Sequence, residues 1–273
     1  MLEDWLQFDQ YKRILDIRFK IKTQEPLHIG AGKGVQFSPV DLPVIKYYVN
    51  GNYFPVILGS SIKGILRSIA EYVCSLPDVS IKTCKRGDCG RKYREFLRRA
   101  SEEKSMVEVL EQFCIVCKLF GTEMFNSRLR ILDAFPDIVK TEYRTGVAIN
   151  RRSGSAKTKA LYELEYIPAG INFYGRMIAV NTPNYLIGLI FNSFEVLNNG
   201  IFKLGGFKSR GFGLIKISDA SVSAEVFEKG RLVSYSSDFG LSPLDERDTL
   251  VAIGRPDTYS SFIKAWENYV STK

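Results

Sequence analysis

Four of the five cysteines lie in two close pairs, C-x4-C at Cys84 and Cys89 and C-x2-C at Cys114 and Cys117. Two such pairs supply four thiolates, the number that a structural Zn²⁺ ion binds in tetrahedral geometry. An odd cysteine count with two close pairs favours a metal site in a reducing compartment over a disulfide framework. The alternative is ordinary reduced thiols, with Cys114 and Cys117 packed in a core. We expect zinc at this site, and we expect the fifth cysteine, Cys74, to be buried.

A second candidate site is the segment GSSIKGILR, residues 59–67. Its apolar residues recur at helical spacing and predict a helix, which Ser60 or Ser61 would cap. A helix N-terminus carries free N–H groups and a partial positive charge, and Lys63 and Arg67 would add formal charge on one exposed side. The segment is therefore a candidate phosphate site. The alternative is a capped helix with two solvated basic side chains.

The segment LGGFKSRGFG, residues 204–213, holds four glycines. Glycines allow a backbone to approach a ligand closely, and Lys208 and Arg210 would supply charge beside them. Phe207 and Phe212 would offer aromatic faces for stacking or for a core. The pattern is not G-x-G-x-x-G and it precedes a strand, which excludes a dinucleotide-binding fingerprint. A tight turn explains the glycines but not the two basic residues between them.

Residues 142–160 are polar, basic and poor in core-forming side chains, so we expect a projecting loop or hairpin. The basic residues of this segment include Arg144, Arg151, Arg152 and Lys157. Charge runs usually form solvated surfaces. A hairpin this basic could equally lie on a nucleic-acid backbone.

His28, the only histidine, and Asp41 flank the glycine-containing loop IGAGKGVQFSPV. A lone histidine is more often a structural residue than a catalyst, and without a second histidine one chain cannot use a two-histidine acid–base mechanism. Asp41 stands at the end of the loop, directly before the strand LPVIK, where a carboxylate can reach a substrate. Of the two residues, Asp41 is the better candidate for chemistry.

Hydrophobic patterns place these segments on an α+β fold. Strict alternation in ILDIRFKIK (14–22) predicts a half-buried strand, and NG at 50–51 predicts a hairpin turn. The pattern continues with a strand at 128–134, two strands at 161–180 around a PAG turn, a buried helix at 183–200 and a last strand after the glycine-rich loop. This is the order of a ferredoxin-like (RRM-like) domain, with helices on one face of an antiparallel sheet.

The chain has 273 residues, of which 45% are hydrophobic, enough for one large domain or two small ones. Its 38 lysines and arginines against 30 acidic residues give a formal net charge of +8, which favours a polyanionic partner. The N-terminus shows no signal-peptide pattern, and no apolar run is long enough to span a membrane. We therefore expect a cytoplasmic protein with no membrane partner.

Taken in order, the motifs resemble one protein family. The segments follow one another over residues 27–217: LHIGAG, DLPVIK, GSSIKGILR, CIVCKLFG, RLRILDA, TGVAINRRSGSAKTKALYELEYIPAG and LGGFKSRGFGLIKI. This succession resembles the backbone RAMP subunit of type III CRISPR effector complexes, the Csm-type member of the Cas-seven superfamily. The two cysteine pairs are similar to those of the zinc-bearing variants of that subunit.

The resemblance implies an RRM-like palm, a zinc-binding helical insertion and a projecting thumb hairpin. The palm would comprise residues 1–75 and 127–221, the insertion 76–126 and the thumb 142–163, and the C-terminal extension 222–273 lies outside the resemblance. Copies or paralogues of such a subunit, with other effector subunits, stack as a filament on a guide RNA (crRNA) that pairs with target RNA. The thumb would wedge between bases of that duplex and displace a nucleotide at regular intervals.

The resemblance also implies roles for single residues. The family's guide-binding positions correspond to Ser60, Ser61, Lys63, Arg67 and the loop Gly205, Gly206, Lys208, Arg210, with His28 at a position near the RNA. The acid that the family requires for cutting target RNA corresponds to Asp41. It would hold Mg²⁺ or Mn²⁺, or accept the 2′-hydroxyl proton, as that hydroxyl attacks the adjacent phosphate.

Three alternatives stay open. The chain could be a non-catalytic structural paralogue in the same filament, since its loop has fewer acids and more Lys and aromatic character than the family's most typical members. It could be a CRISPR precursor-RNA processing endoribonuclease that uses His28, although such enzymes usually contain two tandem RRM-like domains and lack the CIVCKLFG element. It could also be a zinc-stabilised generic RNA binder.

Overall fold

A computed structural model describes residues 4–6, 11–32, 40–84, 88–99, 111–123 and 125–272. These ranges contain five α-helices: α1 Gly59–Ser75, α2 Asp88–Arg99, α3 Ile115–Phe120, α4 Asn184–Asn198 and α5 Thr258–Ser271. They contain twelve strands: β1 Ile14–Thr23, β2 Lys46–Val49, β3 Asn52–Pro55, β4 Leu129–Ile131, β5 Phe135–Pro136, β6 Glu142–Ile149, β7 Ala156–Tyr166, β8 Asn172–Val180, β9 Ile215–Glu228, β10 Arg231–Tyr235, β11 Phe239–Leu241 and β12 Val251–Ile253. The predicted α+β class is confirmed.

The largest sheet is antiparallel, with the strand order β10-β9-β1-β8-β4 and with β5 paired to β8. Its central strand β1 shows the predicted alternation, because Leu15, Ile17 and Ile21 are fully buried whereas Arg18 and Lys22 are exposed. Helices α1 and α4 pack against each other within the same core as the buried face of β1. The helices therefore cover the apolar face of the sheet, and Arg18 and Lys22 are exposed on its other face.

Helix α1 forms where the apolar spacing predicts a helix, but it lacks the predicted cap. Its first residue is Gly59 and its N-cap is Leu58, which makes no side-chain cap bond, so the prediction of a Ser60 or Ser61 cap is wrong. The cap comes from another element instead, since Asp133 Oδ1 accepts a 2.6 Å hydrogen bond from the Gly59 N–H. A carboxylate supplied through tertiary contact leaves no signature in the helix sequence itself.

Two hairpins stand beside the main sheet. β2 and β3 pair across the NG turn, where Asn50 (φ 48°) and Gly51 (φ 85°) both adopt left-handed conformations, as the type I′ geometry of such turns requires. β6 and β7 pair in a separate two-stranded sheet, so the predicted hairpin over residues 142–160 is present, with its second strand extending to Tyr166. No helix within the described ranges is both long and apolar enough to cross a membrane.

The C-terminal segment packs onto the sheet domain. Strand β9 runs through position 222, and β10 adds an edge strand to the same sheet. Helix α5 lies against α4, with Tyr185 and Tyr269 stacked at 4.2 Å between ring centroids. Gly188 permits this contact, because a Cβ there would lie 2.1 Å from the carbonyl oxygen of Phe262.

Candidate functional site

The two cysteine pairs come together where α1, α2 and α3 meet. Cys84 precedes α2 and Cys89 lies in its first turn, whereas Cys114 directly precedes α3 and Cys117 lies within it. The four sulfur atoms all lie within 4.8 Å of one another, and Cys84 Sγ is 3.5 Å from Cys117 Sγ. Cys74 is buried within α1, as predicted.

This cysteine cluster has the donor set of a tetrahedral metal site. Four thiolates at the usual Zn–S distance of about 2.3 Å lie about 3.8 Å from one another. The backbone N–H of Cys114 donates to Cys89 Sγ at 3.4 Å, a contact of the kind that orients a metal ligand. Hydrogen bonds from Cys117 and then Cys89 lower the pKa of Cys114, whereas the hydrogen bonds with Cys114 raise the pKa values of Cys89 and Cys117. The cluster can therefore hold a metal ion such as zinc.

Arg67 connects helix α1 to the cysteine cluster. Its Nη2 donates to Cys117 Sγ at 3.4 Å, and its Nη1 donates to the carbonyl of Gly121 at 3.0 Å. Its Nε donates to Glu71 at 3.0 Å. Three of the five guanidinium N–H donors are thus used inside the protein. The sequence suggests Arg67 as an RNA contact, but in the structure its guanidinium binds Glu71, Gly121 and Cys117 of the cysteine cluster.

The N-terminus of α1 is already partly satisfied. The Gly59 N–H binds Asp133 and the Ser61 N–H donates to the Leu58 carbonyl at 2.9 Å, so two of the first N–H groups are taken. Ser60 is exposed, whereas Ser61 and Lys63 are half-buried. Burial, with a smaller effect of Arg67, lowers the pKa of Lys63. Any anion here would be held by the side chains of Ser60, Ser61 and Lys63 more than by free backbone N–H groups.

Asp41 lies at the end of its loop, as predicted, and its side chain is exposed. Oδ2 accepts a 2.8 Å hydrogen bond from the backbone N–H of Glu163 in β7. The Leu42 N–H donates to the Glu163 carbonyl and the Glu165 N–H to the Leu42 carbonyl, both at 3.0 Å, which fixes the segment against β7. Residues 33–39 of the preceding loop lie outside the described ranges. Within those ranges Oδ1 makes no hydrogen bond, so it is free to bind a ligand or an ion.

Glu165, which sequence reasoning missed, holds the surrounding segments together. Its buried carboxylate accepts hydrogen bonds from the Val44 N–H at 3.0 Å and from Thr141 at 2.7 Å, and it forms an ion pair with Lys46. Burial acts to raise the pKa of Glu165, but the bonds from Lys46, Thr141 and the Val44 N–H outweigh burial and lower it. The alternating pattern LYELEY predicts a strand, but it does not reveal that one of its two glutamates is buried.

His28 is buried and acts as a structural contact. Its Nδ1 lies 2.8 Å from the Glu165 carbonyl, which can only accept, so Nδ1 carries the proton. The His28 carbonyl accepts from the Gly206 N–H at 2.9 Å, and a Cβ on Gly205 (φ 78°) would lie 2.4 Å from the same oxygen. His28 thus positions the glycine-rich turn. Its burial disfavours a role as a proton-transfer residue that contacts RNA directly.

A cleft of about 310 Å³ lies between the β6–β7 hairpin and the glycine-rich turn. Arg144 of the hairpin and Arg210 of the turn both line it, and both are exposed. Tyr162 and Phe207 also line it, and Arg210 Nη1 donates to the Tyr162 hydroxyl at 3.1 Å. Phe212 also lines the cleft, although it is largely buried. Tyr162 was missed because one tyrosine in an alternating strand carries no functional signal by itself.

The remaining basic residues of the predicted set lie on the same two elements, the hairpin and the glycine-rich turn. Lys208 is exposed on the 3₁₀ turn Lys208–Arg210, and Arg151 and Arg152 are exposed at the hairpin tip. Lys157 lies on β7, and its side chain is outside the described part of the structure. The structure thus groups the predicted residues in two places. Asp41, His28, Arg144 and the glycine-rich turn meet along β7, whereas Ser60, Ser61, Lys63 and Arg67 lie on α1, which leads to the cysteine cluster.

Comparison with known proteins gives two findings. Residues 20–216 match the family described as "RAMPs: RAMP superfamily". A protein of Pyrococcus furiosus named "CRISPR system Cmr endoribonuclease Cmr4" is 28% identical over 123 residues, which is 42% of this chain and 40% of that relative. The matched part therefore spans less than half of the relative's length. The family match extends from β1 through α1, the cysteine cluster and the hairpin into β9, and on that extent the chain belongs to the RAMP superfamily.

Proposed function

We propose that the chain is a guide-RNA-binding backbone subunit of a type III CRISPR effector complex, which acts in antiviral defence in the cytoplasm. The observation that carries this proposal is the RAMP match over residues 20–216, supported by similarity to a protein named as a Cmr endoribonuclease. Its partners would be crRNA, complementary target RNA, other effector subunits, and copies or paralogues of the chain. Base pairing would read the sequence, so the protein needs only contacts to the RNA backbone.

The main sheet would be the RRM-like palm of such a subunit. In chain order β1, α1, β4, β8, α4 and β9 follow the β-α-β-β-α-β pattern, and their strands are arranged β9-β1-β8-β4. On this proposal residues 1–75 and 127–221 form the palm, 76–126 the zinc-binding insertion, 142–163 the thumb and 222–273 an extension. Zinc at the cysteine cluster would be structural, because four protein ligands leave no open position.

RNA would lie on the basic surface around the glycine-rich turn. Exposed Arg144, Arg151, Arg152, Lys208 and Arg210 would neutralise phosphates and release counterions. Lys157 of the same hairpin, the backbone of Gly205 and Gly206, and the Ser60, Ser61 and Lys63 side chains would add contacts. The contacts of Arg67 favour a role in the metal centre, and those of His28 favour positioning of the turn.

Asp41 would carry the cleavage of target RNA. A 2′-oxygen would form a bond to the adjacent phosphorus while the bond to the 5′-oxygen breaks, leaving a 2′,3′-cyclic phosphate and a 5′-hydroxyl. Asp41 Oδ1 would accept the 2′-hydroxyl proton, or it would be the protein ligand of Mg²⁺ or Mn²⁺, and the 5′-oxygen would take its proton from water. One carboxylate together with RNA phosphates is a normal ligand set for Mg²⁺, which would stabilise charge on the phosphate.

Isolation of the native complex tests the proposal. The chain would carry an affinity tag in its own host, and the co-purifying proteins and RNA would be identified by mass spectrometry and sequencing. We expect other CRISPR effector subunits and short RNAs that contain CRISPR repeat sequence. Mixed cellular RNA without any CRISPR subunit would contradict the proposal and favour a zinc-stabilised generic RNA binder.

A further inference from the structure

A further cavity lies away from the proposed RNA-binding surface, between the C-terminal half of α4, strand β9 and the start of α5. Its volume is about 420 Å³, within the range of ligand pockets. The family match ends at residue 216, before most of the lining, so the match assigns this cavity no role. We call it the acidic pocket, and its lining residues are Phe194, Glu195, Asn198, Ile217, Ser218, Asp219, Ala220 and Tyr259.

The charge of the acidic pocket is opposite to that of the chain. Glu195 and Asp219 are exposed carboxylates, and the described lining residues include no basic side chain, although the whole chain carries a formal charge of +8. Lys20 Nζ lies 4.0 Å from Asp219 Oδ2, the outer limit for an ion pair, and the Asp219 side chain is 71% exposed. The pocket therefore repels a phosphate and attracts a cation.

Aromatic rings form another part of the lining. Phe194 is buried, whereas Tyr259 is half-buried and donates its hydroxyl to the Phe191 carbonyl at 2.9 Å. Burial, with a smaller effect of the Glu195 charge, raises the pKa of Tyr259, so its phenol stays neutral. A fixed aromatic ring close to a carboxylate is an environment that a guanidinium group favours, because it stacks on the ring and pairs with the acid.

The β9 wall of the pocket is held in place by side-chain and backbone contacts. Asn198 donates to the Ile217 carbonyl at 2.9 Å and accepts from the Ile217 N–H at 2.7 Å. Directly after it β9 forms a bulge, in which Asp219 and Ala220 lie opposite the single residue Phe19 of β1. Asp219 has a left-handed backbone (φ 52°). Since a bulge changes the direction of a side chain, it decides where this carboxylate points.

We propose that the acidic pocket docks an arginine side chain of a partner protein, with the guanidinium paired to Glu195 and Asp219 and packed against Tyr259. Arginine suits the pocket because it stays charged, stacks on aromatic rings and offers several donors to carboxylates. It is also one of the residues that anchor protein–protein interfaces. The site adds a protein-docking pocket to the proposed RNA-binding function and does not depend on it.

Binding of a guanidinium probe tests the pocket directly. The full-length chain, with isotope-labelled isoleucine and alanine methyl groups, is titrated with Nα-acetyl-arginine methylamide and followed by NMR. We expect saturable shifts of the Ile217 and Ala220 methyl signals, because both residues line the pocket. The matched citrulline derivative, which is neutral and of similar shape, should shift neither signal. Glu195→Gln should weaken binding about fivefold, the effect of one solvent-accessible ion pair.

A double variant tests the partner. Glu195→Gln combined with Asp219→Asn should abolish saturable binding of the arginine derivative. In the tagged native complex it should lower the amount of one protein component at least about fivefold and leave the bound RNA unchanged. Glu267→Gln, at an exposed glutamate of α5 outside the lining set, is the control and should behave as the wild type does.

The outcomes separate this inference from the proposed function. If the arginine derivative shifts neither methyl signal, or if the citrulline derivative binds equally well, the pocket is wrong. If the double variant retains every protein component at the wild-type amount, the docking of a partner is wrong. Neither result affects the proposed function. A wild-type preparation without CRISPR subunits would instead contradict the proposed function alone.

Discussion

The Asp41 carboxylate is hydrogen-bonded to the backbone N–H of Glu163, 2.8 Å away, which ties the acid to the strand that forms one wall of the cleft. The neighbours of Glu163 in this strand, Tyr162 and Leu164, both line the cleft. The acid therefore lies next to the surface that would hold RNA, and only one of its two oxygens is used by the protein within the described ranges. One oxygen of Asp41 thus fixes the side chain against β7, and the other is the candidate for contact with RNA or a metal ion.

The cysteine cluster should bind one zinc ion per chain. Elemental analysis of the purified protein should give this ratio, and Cys117→Ser should lower both zinc content and melting temperature because it removes one of four ligands. Cys74→Ala, at a buried cysteine outside the cluster, should keep the full zinc content. Full stability of the wild type after complete removal of zinc would contradict a structural metal.

Arg67 should contribute to stability more than to RNA binding. Arg67→Gln removes the contacts to Cys117 and Gly121, and we expect a loss of about 1–3 kcal/mol in the free energy of unfolding. RNA affinity should stay within about twofold, because the guanidinium of Arg67 binds protein groups and is not placed to neutralise a phosphate. Denaturant unfolding and fluorescence anisotropy measure the two effects. A large loss of RNA affinity with unchanged stability would contradict this role and show that Arg67 contacts RNA.

Two glycines of helix α1 should respond in opposite directions to alanine. A Cβ at Gly59 would lie 2.2 Å from the Ile131 carbonyl oxygen, so Gly59→Ala should separate the helix from β4 and destabilise the protein by about 1–3 kcal/mol. Gly64 lies in the same helix with open space around it, and Gly64→Ala should stabilise it by about 0.5–1 kcal/mol. Equal effects of the two substitutions, measured by denaturant unfolding, would contradict the close contact at Gly59.

Glu165 should make the protein sensitive to acid. Its pKa is lowered in the folded state, so its contribution to stability is present above its unfolded pKa and is lost as the pH falls through the lower folded pKa. Glu165→Gln should be less stable at neutral pH, because Lys46 loses its partner, and should lose less additional stability below about pH 5. Glu163→Gln, at an exposed glutamate of the same strand, is the control. Identical pH profiles of wild type and Glu165→Gln would rule out this contribution.

Local patterns predicted the elements of this fold well. The alternation of β1, the apolar stripe of α1 and the NG turn are each encoded by neighbouring residues. The spacing within the two cysteine pairs likewise predicts that the four cysteines form one cluster. The cap of α1 by Asp133, the burial of Glu165 and the fit of Tyr162 over Gly146 join residues that are distant in sequence. Such pairings depend on tertiary packing, so a single sequence shows the residue types but not which of them meet. Arg67 illustrates the difference, since its position on α1 was predictable and its contact with Cys117 was not.

Cleavage of guide-paired target RNA by the assembled complex tests the central claim most directly, with Asp41→Asn in this chain as the only change. Asparagine can still accept the Glu163 N–H, so docking is kept while the charge and the proton acceptor are removed. We predict that cleavage falls at least about 100-fold while target-RNA affinity stays within about twofold, and that wild-type products end in a 2′,3′-cyclic phosphate. Cleavage at the wild-type rate by the Asp41→Asn complex would contradict the account and identify this chain as a non-catalytic subunit.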